Sequence, residues 1–199
     1  VDWEGRDLRR ENLAAMNSFR NAHPNVKLVQ FLNAAYFTKP GVDERQTARK
    51  IRSVLRPGDE IGLHIHGWAS LFEAAGVEPR DVTSFWKTKN PVTPGADYGH
   101  EAIIEDYSVE EIRKVIRFSV RKLAEHGFTG IKSFRAGGWM AGPKVREALV
   151  REGIKIDSSA VPVSLFARDL ADTNLFERAA QLWKGVDSKS MPYDIETPA

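Results

Sequence analysis

The chain has 199 residues, of which 42% are hydrophobic and 28% charged, enough for one sizeable folded domain with a real core. Its 29 basic and 27 acidic residues leave a net charge of +2 and are scattered along the chain, which gives no case for a nucleic-acid partner. It has no cysteine, so disulfides and thiolate metal ligands are excluded, and no apolar run approaches the roughly 18 residues of a membrane span. It opens on VDWEG without an initiating Met, shows no signal peptide and stops on YDIETPA, which reads as a segment trimmed from a longer protein.

In chain order, VDW reads as the end of a strand. Residues 7–22 carry Leu8, Leu13, Met16 and Phe19 at loose helical spacing, and HPN breaks that run. VKLVQFL (26–32) reads as a buried strand. Residues 43–55 place Ala48, Ile51 and Leu55 on one helical face, and RPGD stops it. EIGLHI (60–65) is the next strand. Residues 67–107 are irregular, with one helical turn expected near 71–75; a stretch this long inside a compact domain is often functional.

Regular structure resumes at Ser108, which forms a capping box with Glu111. Ile112, Val115, Ile116 and Leu123 make the apolar stripe of that helix and Gly127 ends it. GIKSF (130–134) is a strand and RAGGWMAG (135–142) a glycine-rich loop. Pro143 opens a helix that Gly153 closes. IKID (154–157) is a strand, 174–185 a short helix, and MPYDIET (191–197) a last strand. Strands alternating with helices argue for a parallel sheet, either a barrel or a doubly wound sheet, in a single domain spanning 1–199.

Active sites of parallel α/β folds form at the C-terminal ends of the strands. Here those ends hold Asp2 and Glu4, His64 and His66, Arg135 and Asp157. Residues i and i+2 of a strand share a side, so Asp2 pairs with Glu4 and His64 with His66. One carboxylate and two imidazoles suit a zinc-type ion with positions left for water and substrate, and a second carboxylate could take a proton from that water. Each piece has a plainer reading. Asp-x-Glu can be a solvated turn, Arg135 an ion-pair partner, and Asp157 before two serines a turn cap.

In this order the motifs resemble those of the polysaccharide deacetylases, the NodB-like carbohydrate esterases, over nearly the whole chain. VDWEG is similar to the family's first motif, which implies that Asp2 is the catalytic base and Glu4 a metal ligand. DEIGLHIHGW resembles the second, which supplies histidine ligands. SFRAGGW resembles the third, whose arginine orients the base, and its glycine-rich turn lines the groove. GIKIDSS resembles a strand-end motif carrying Asp157. The resemblance implies a distorted (β/α) barrel of about seven strands, incomplete at both ends. It implies a hydrolase of carbon–nitrogen, non-peptide bonds that removes N-acetyl or O-acetyl groups from a glycan, with zinc as the expected ion and a secreted, periplasmic or cell-envelope location.

The expected site residues are Asp2, Arg135 and His100 for catalysis, Glu4, His64 and His66 for the metal, and Trp68, Gly138, Trp139 and Asp157 for substrate. The chain departs from the family twice. The residue four after His64, where the family has its second histidine, is Trp68, so His66 or His100 fills that role. The late Leu-x-His motif that supplies the general acid is absent, which leaves His100 as a candidate, while His126 reads as a partner of a helix C-terminus. Trp68, Trp86, Tyr98 and Trp139 are either sugar platforms or packing under a long loop. Two further readings stay open: hydrolysis of a non-sugar amide, and a catalytically inactive carbohydrate-binding domain.

Overall fold

The structure, a computed structural model, describes residues 1–80, 84–87, 95–166 and 168–195. Four parallel strands form one sheet in the order β1 (Val29–Leu32), β2 (Glu60–Ile65), β3 (Ser133–Ala136) and β4 (Ile156–Asp157). The helices are α1 (Arg10–Ala22), α2 (Glu44–Arg52), α3 (Ala69–Ala74), α4 (Val109–Glu125), α5 (Pro143–Arg151), α6 (Val163–Phe166) and α7 (Asn174–Leu182). The strand–helix alternation is as the sequence predicts. Among the described residues the sheet is open, and a seven-strand barrel is not seen. Residues 191–195 form no strand, and the rest of the expected last strand lies outside the described residues.

Parallel strands with both faces covered read as continuous apolar runs. β2 shows this: Gly62, Leu63, His64 and Ile65 are all buried. Gly62 is required because a Cβ there would lie 2.5 Å from the Phe31 ring of β1. α4 closes one side with Ile112, Val115, Ile116 and Leu123 and packs against α5, which contributes Val145, Ala148 and Leu149. The expected capping box is present: Glu111 N donates to Ser108 Oγ at 3.3 Å and Ser108 N to the Glu111 carboxylate at 2.8 Å. Such a cap is worth about 1 kcal/mol.

The N-terminal segment is laid along β1. Phe31 N donates to Val1 O and Trp3 N to Phe31 O, both at 2.9 Å, so Asp2 bridges Phe31 in parallel. This pairing points Trp3 inward and leaves Asp2 and Glu4 on the other side. The Trp3 indole N–H donates to the fully buried Gln30 at 2.9 Å, and Gln30 donates on to Asp59 at 3.3 Å. Asp59 forms a buried ion pair with Arg20 of α1 at 2.7 Å. Breaking one partner of such a pair strands a charge in the core, so this chain of contacts fixes where the two acids sit.

Candidate metal centre

The parallel register sets β2 beside β3 with His64 opposite Arg135. His64 and His66, 2% and 4% exposed, both turn their Nε2 atoms toward Glu4. The Nδ1 of His64 lies 2.7 Å from the backbone carbonyl of Arg135, and that of His66 lies 2.7 Å from the carbonyl of His100. A carbonyl only accepts, so these contacts assign the ring proton to Nδ1 in both histidines and leave a lone pair on each Nε2. That is the arrangement by which metal-binding histidines are oriented.

Glu4 Oε2 lies 2.5 Å from His66 Nε2 and 3.2 Å from His100 Nε2, and Oε1 lies 3.6 Å from His64 Nε2. The Glu4 carbonyl accepts from the Trp68 indole N–H at 2.8 Å and from Asn33 Nδ2 at 3.4 Å. Gly5 turns the chain away in the left-handed region, where a Cβ would sit 2.6 Å from Trp68 Nε1.

The electrostatics separate these groups. Burial pulls Glu4 upward, and hydrogen bonds from His100, His64 and His66 pull it down, the balance lying well below the usual carboxylate range when those rings donate. Burial lowers His66 to about 4 against the upward pull of Glu4, and also lowers His100. At neutral pH the ionised Glu4 carboxylate therefore faces neutral imidazoles at His66 and His100. Two acceptor atoms 2.5 Å apart repel unless a positive charge lies between them, and His64 Nε2 is buried with no hydrogen-bond partner among the described residues. Such an atom costs roughly 1–3 kcal/mol in a metal-free fold. The donor set thus fits a divalent cation. Glu4, His66 and His100 offer ligand atoms within 4.8 Å of one another and form a group that could hold a metal ion.

His100 arrives from the irregular segment, which is pinned at several points. Ala69 N donates to Tyr98 O at 2.8 Å, and Asp97 accepts from Ser70 N at 3.0 Å, Ser70 Oγ at 2.7 Å and Lys39 Nζ at 3.0 Å. The His100 ring then stacks on His66, with centroids 3.8 Å apart and planes 11° from parallel. The opposite wall comes from the glycine-rich loop: a Cβ on Gly137 would fall 2.5 Å from the His66 ring.

Asp2 and Arg135 meet as expected, at 3.3 and 3.4 Å between Nη1 and the two carboxylate oxygens. Arg135 is held from behind, donating from Nε to Ser158 O at 2.9 Å and from Nη2 to Ser158 Oγ at 2.7 Å, with its guanidinium over the Phe31 ring.

The expected substrate residues divide. Trp68 is buried, donates to Glu4 and carries Lys39 Nζ 3.5 Å from its ring centroid, so its face is covered and its place is structural. Trp139 and Gly138 both adopt positive φ, at 60° and 59°; for a tryptophan this is a strained conformation, kept here beside the site. Trp139 is half-buried and its carbonyl accepts from the Trp183 indole at 2.8 Å. Asp157 accepts from Ser159 N at 3.0 Å and Ser159 Oγ at 2.5 Å, the plainer turn-cap reading, and burial raises its carboxyl. Trp86 and Tyr98 are half-buried. His126 ends α4 as expected, stacks on Phe37 and lies 2.7 Å from Glu44.

Sequence reasoning missed Asn33, Ser158 and Arg6, whose Nη2 lies 3.1 Å from His100 Nδ1. Asn33 follows directly on β1, and the strand-end survey would have found it had that end been included.

No family model matches the chain, and neither a curated protein nor a solved structure matches it significantly.

Proposed function

We propose that this protein is a metal-dependent hydrolase that removes N-acetyl or O-acetyl groups from a polysaccharide or oligosaccharide. The architecture proposed with it is the seven-strand barrel of the polysaccharide deacetylases that its motifs resemble. The observation that carries the reading is the convergence of Glu4, His64 and His66, with both imidazoles tied to carbonyls at Nδ1, beside an Asp2–Arg135 pair.

Glu4, His64 and His66 are the proposed ligands and zinc the proposed ion, since one carboxylate and two imidazoles leave open positions. Bound there, the ion would polarise the acetyl carbonyl and make a water acidic enough to attack it. Asp2 would take the proton of that water. Arg135 aims Asp2, through charge-assisted hydrogen bonds from a guanidinium itself anchored on Ser158. Backbone N–H groups at Gly138 or Trp139 are the proposed donors to the oxyanion.

The test is acetate release from chito-oligosaccharides and from a peptidoglycan fragment, with Asp2→Asn as the probe. The variant is expected to lose roughly 10²–10⁴-fold in turnover while its metal content stays at the wild-type level. Loss of metal in that variant overturns the assignment of Asp2 as base. Hydrolysis of simple amides without acetate release from either glycan overturns the glycan assignment.

A further inference from the structure

The site contains one more imidazole than its proposed ligand set uses, and the neighbour of that imidazole decides its role. Arg6, exposed and two residues beyond Glu4, places Nη2 3.1 Å from His100 Nδ1. A guanidinium carries five N–H donors and no lone pair, so this contact is a hydrogen bond only when His100 Nδ1 is bare. The ring proton then sits on Nε2, which faces Glu4 Oε2 at 3.2 Å. A nitrogen that carries a proton cannot ligate. His64 and His66 have the opposite assignment, because each meets a carbonyl at Nδ1. Two imidazoles thus turn lone pairs toward Glu4, and the third turns an N–H.

Resting on the metal reading above, we propose that Arg6 and His100 are a positioning pair: Arg6 fixes His100 as an Nε2–H donor that aims the Glu4 carboxylate without ligating the ion. His100 acts a second time through its backbone, since its carbonyl holds His66 at Nδ1 and so keeps the His66 lone pair inward. Its ring, stacked on His66, sets the height of that ligand.

Two measurements test this. The first needs no metal. Long-range proton–nitrogen correlation spectra of the metal-free protein, with ¹⁵N-labelled histidine, report the tautomer of each ring. His100 is expected to show bare Nδ1 and protonated Nε2. Arg6→Met is expected to produce a mixture, and Arg6→Lys, which still donates, to restore the wild-type pattern. A proton on His100 Nδ1 in the wild-type protein overturns the proposal.

The second is titration with Co²⁺, read by its visible absorption bands. His100→Phe keeps the stack and the backbone carbonyl but removes the donor. It is expected to bind one Co²⁺ with wild-type band shape and an affinity lower by about 10–100-fold, the usual effect of losing an outer hydrogen bond. Arg6→Met should weaken binding in the same direction, and the double variant should be no weaker than His100→Phe. A band change in His100→Phe matching that in His64→Phe or His66→Phe makes His100 a ligand and overturns the proposal. Absence of Co²⁺ uptake by the wild-type protein overturns the metal reading instead, and the tautomer spectra still decide whether Arg6 fixes His100.

Discussion

His64→Leu separates what the buried cluster does for stability from what it does for function. In the metal-free protein His64 Nε2 is buried and has no hydrogen-bond partner among the described residues, a burden of roughly 1–3 kcal/mol. Leucine removes that atom at similar volume. The replacement also loses the hydrogen bond from Nδ1 to the Arg135 carbonyl, which contributes about 0.5–1.5 kcal/mol, and leaves that carbonyl to find another donor. The two effects nearly cancel, so the metal-free variant should unfold within about 1 kcal/mol of wild type, or roughly 2–4 °C in Tm for a domain of this size. The holoprotein should behave differently. Zinc at a hundredfold excess over Kd stabilises the native state by about 2.7 kcal/mol, a rise of roughly 5–10 °C for wild type, and the variant should show none of it. Thermal melts with chelator and with zinc read both numbers. A metal-free variant destabilised by more than about 3 kcal/mol would show that His64 is an ordinary core histidine; so would a zinc-dependent rise equal to the wild-type one.

Three further outcomes follow from the same contacts. Gly137→Ala drives a methyl to within 2.5 Å of the His66 ring; it should cost about 1–3 kcal/mol and weaken zinc binding, by melts and zinc titration. Arg135→Lys loses the fork that joins Asp2 to Ser158, so kcat should fall roughly 10²-fold with metal content unchanged. The metal-free protein should lose stability on acidification. Burial holds His66 at about 4 in the fold against 6.5 when unfolded, so between those values only the unfolded chain binds the proton. Stability from His66 is complete above about pH 6.5 and declines until pH falls to about 4, by roughly 3 kcal/mol at most. Urea midpoints measured between pH 7 and 4 check this, and a midpoint that rises on acidification contradicts it.

The parts of the site legible in the sequence are those that strand geometry controls. Period-two alternation puts His64 and His66 on one side, and parallel pairing brings Asp2 to Phe31 and His64 beside Arg135. These relations are local or follow from register, and the structure meets them. Over its described residues, 191–195, the expected last strand is not formed, for a related reason: alternation of Met191, Tyr193 and Ile195 suits an extended segment, but a strand also needs a paired neighbour, which periodicity does not report. Asp157 was legible as polar and strand-terminal, but Ser159, two positions on, captured its oxygen with both its backbone N–H and its hydroxyl.

What the sequence hides is the part of the site that depends on a loop's path. Nothing local in DYGHE says that Asp97 clamps Ser70 and Lys39, that Gly99 packs against the Gly67 carbonyl, or that His100 therefore stacks on His66. Trp68 shows the same limit from the other side. As a tryptophan beside a histidine pair it reads as a sugar platform, yet its indole N–H is spent on the Glu4 carbonyl and its face on Lys39. The ligand set depends on this distinction. By distance alone Glu4, His66 and His100 make the compact group. Hydrogen-bond direction selects differently, because only a nitrogen whose partner ring atom already donates has a lone pair to give. His64 meets that condition at 3.6 Å from Glu4, and His100, held by Arg6, does not meet it at 3.2 Å. The longer contact is the better claim to a ligand.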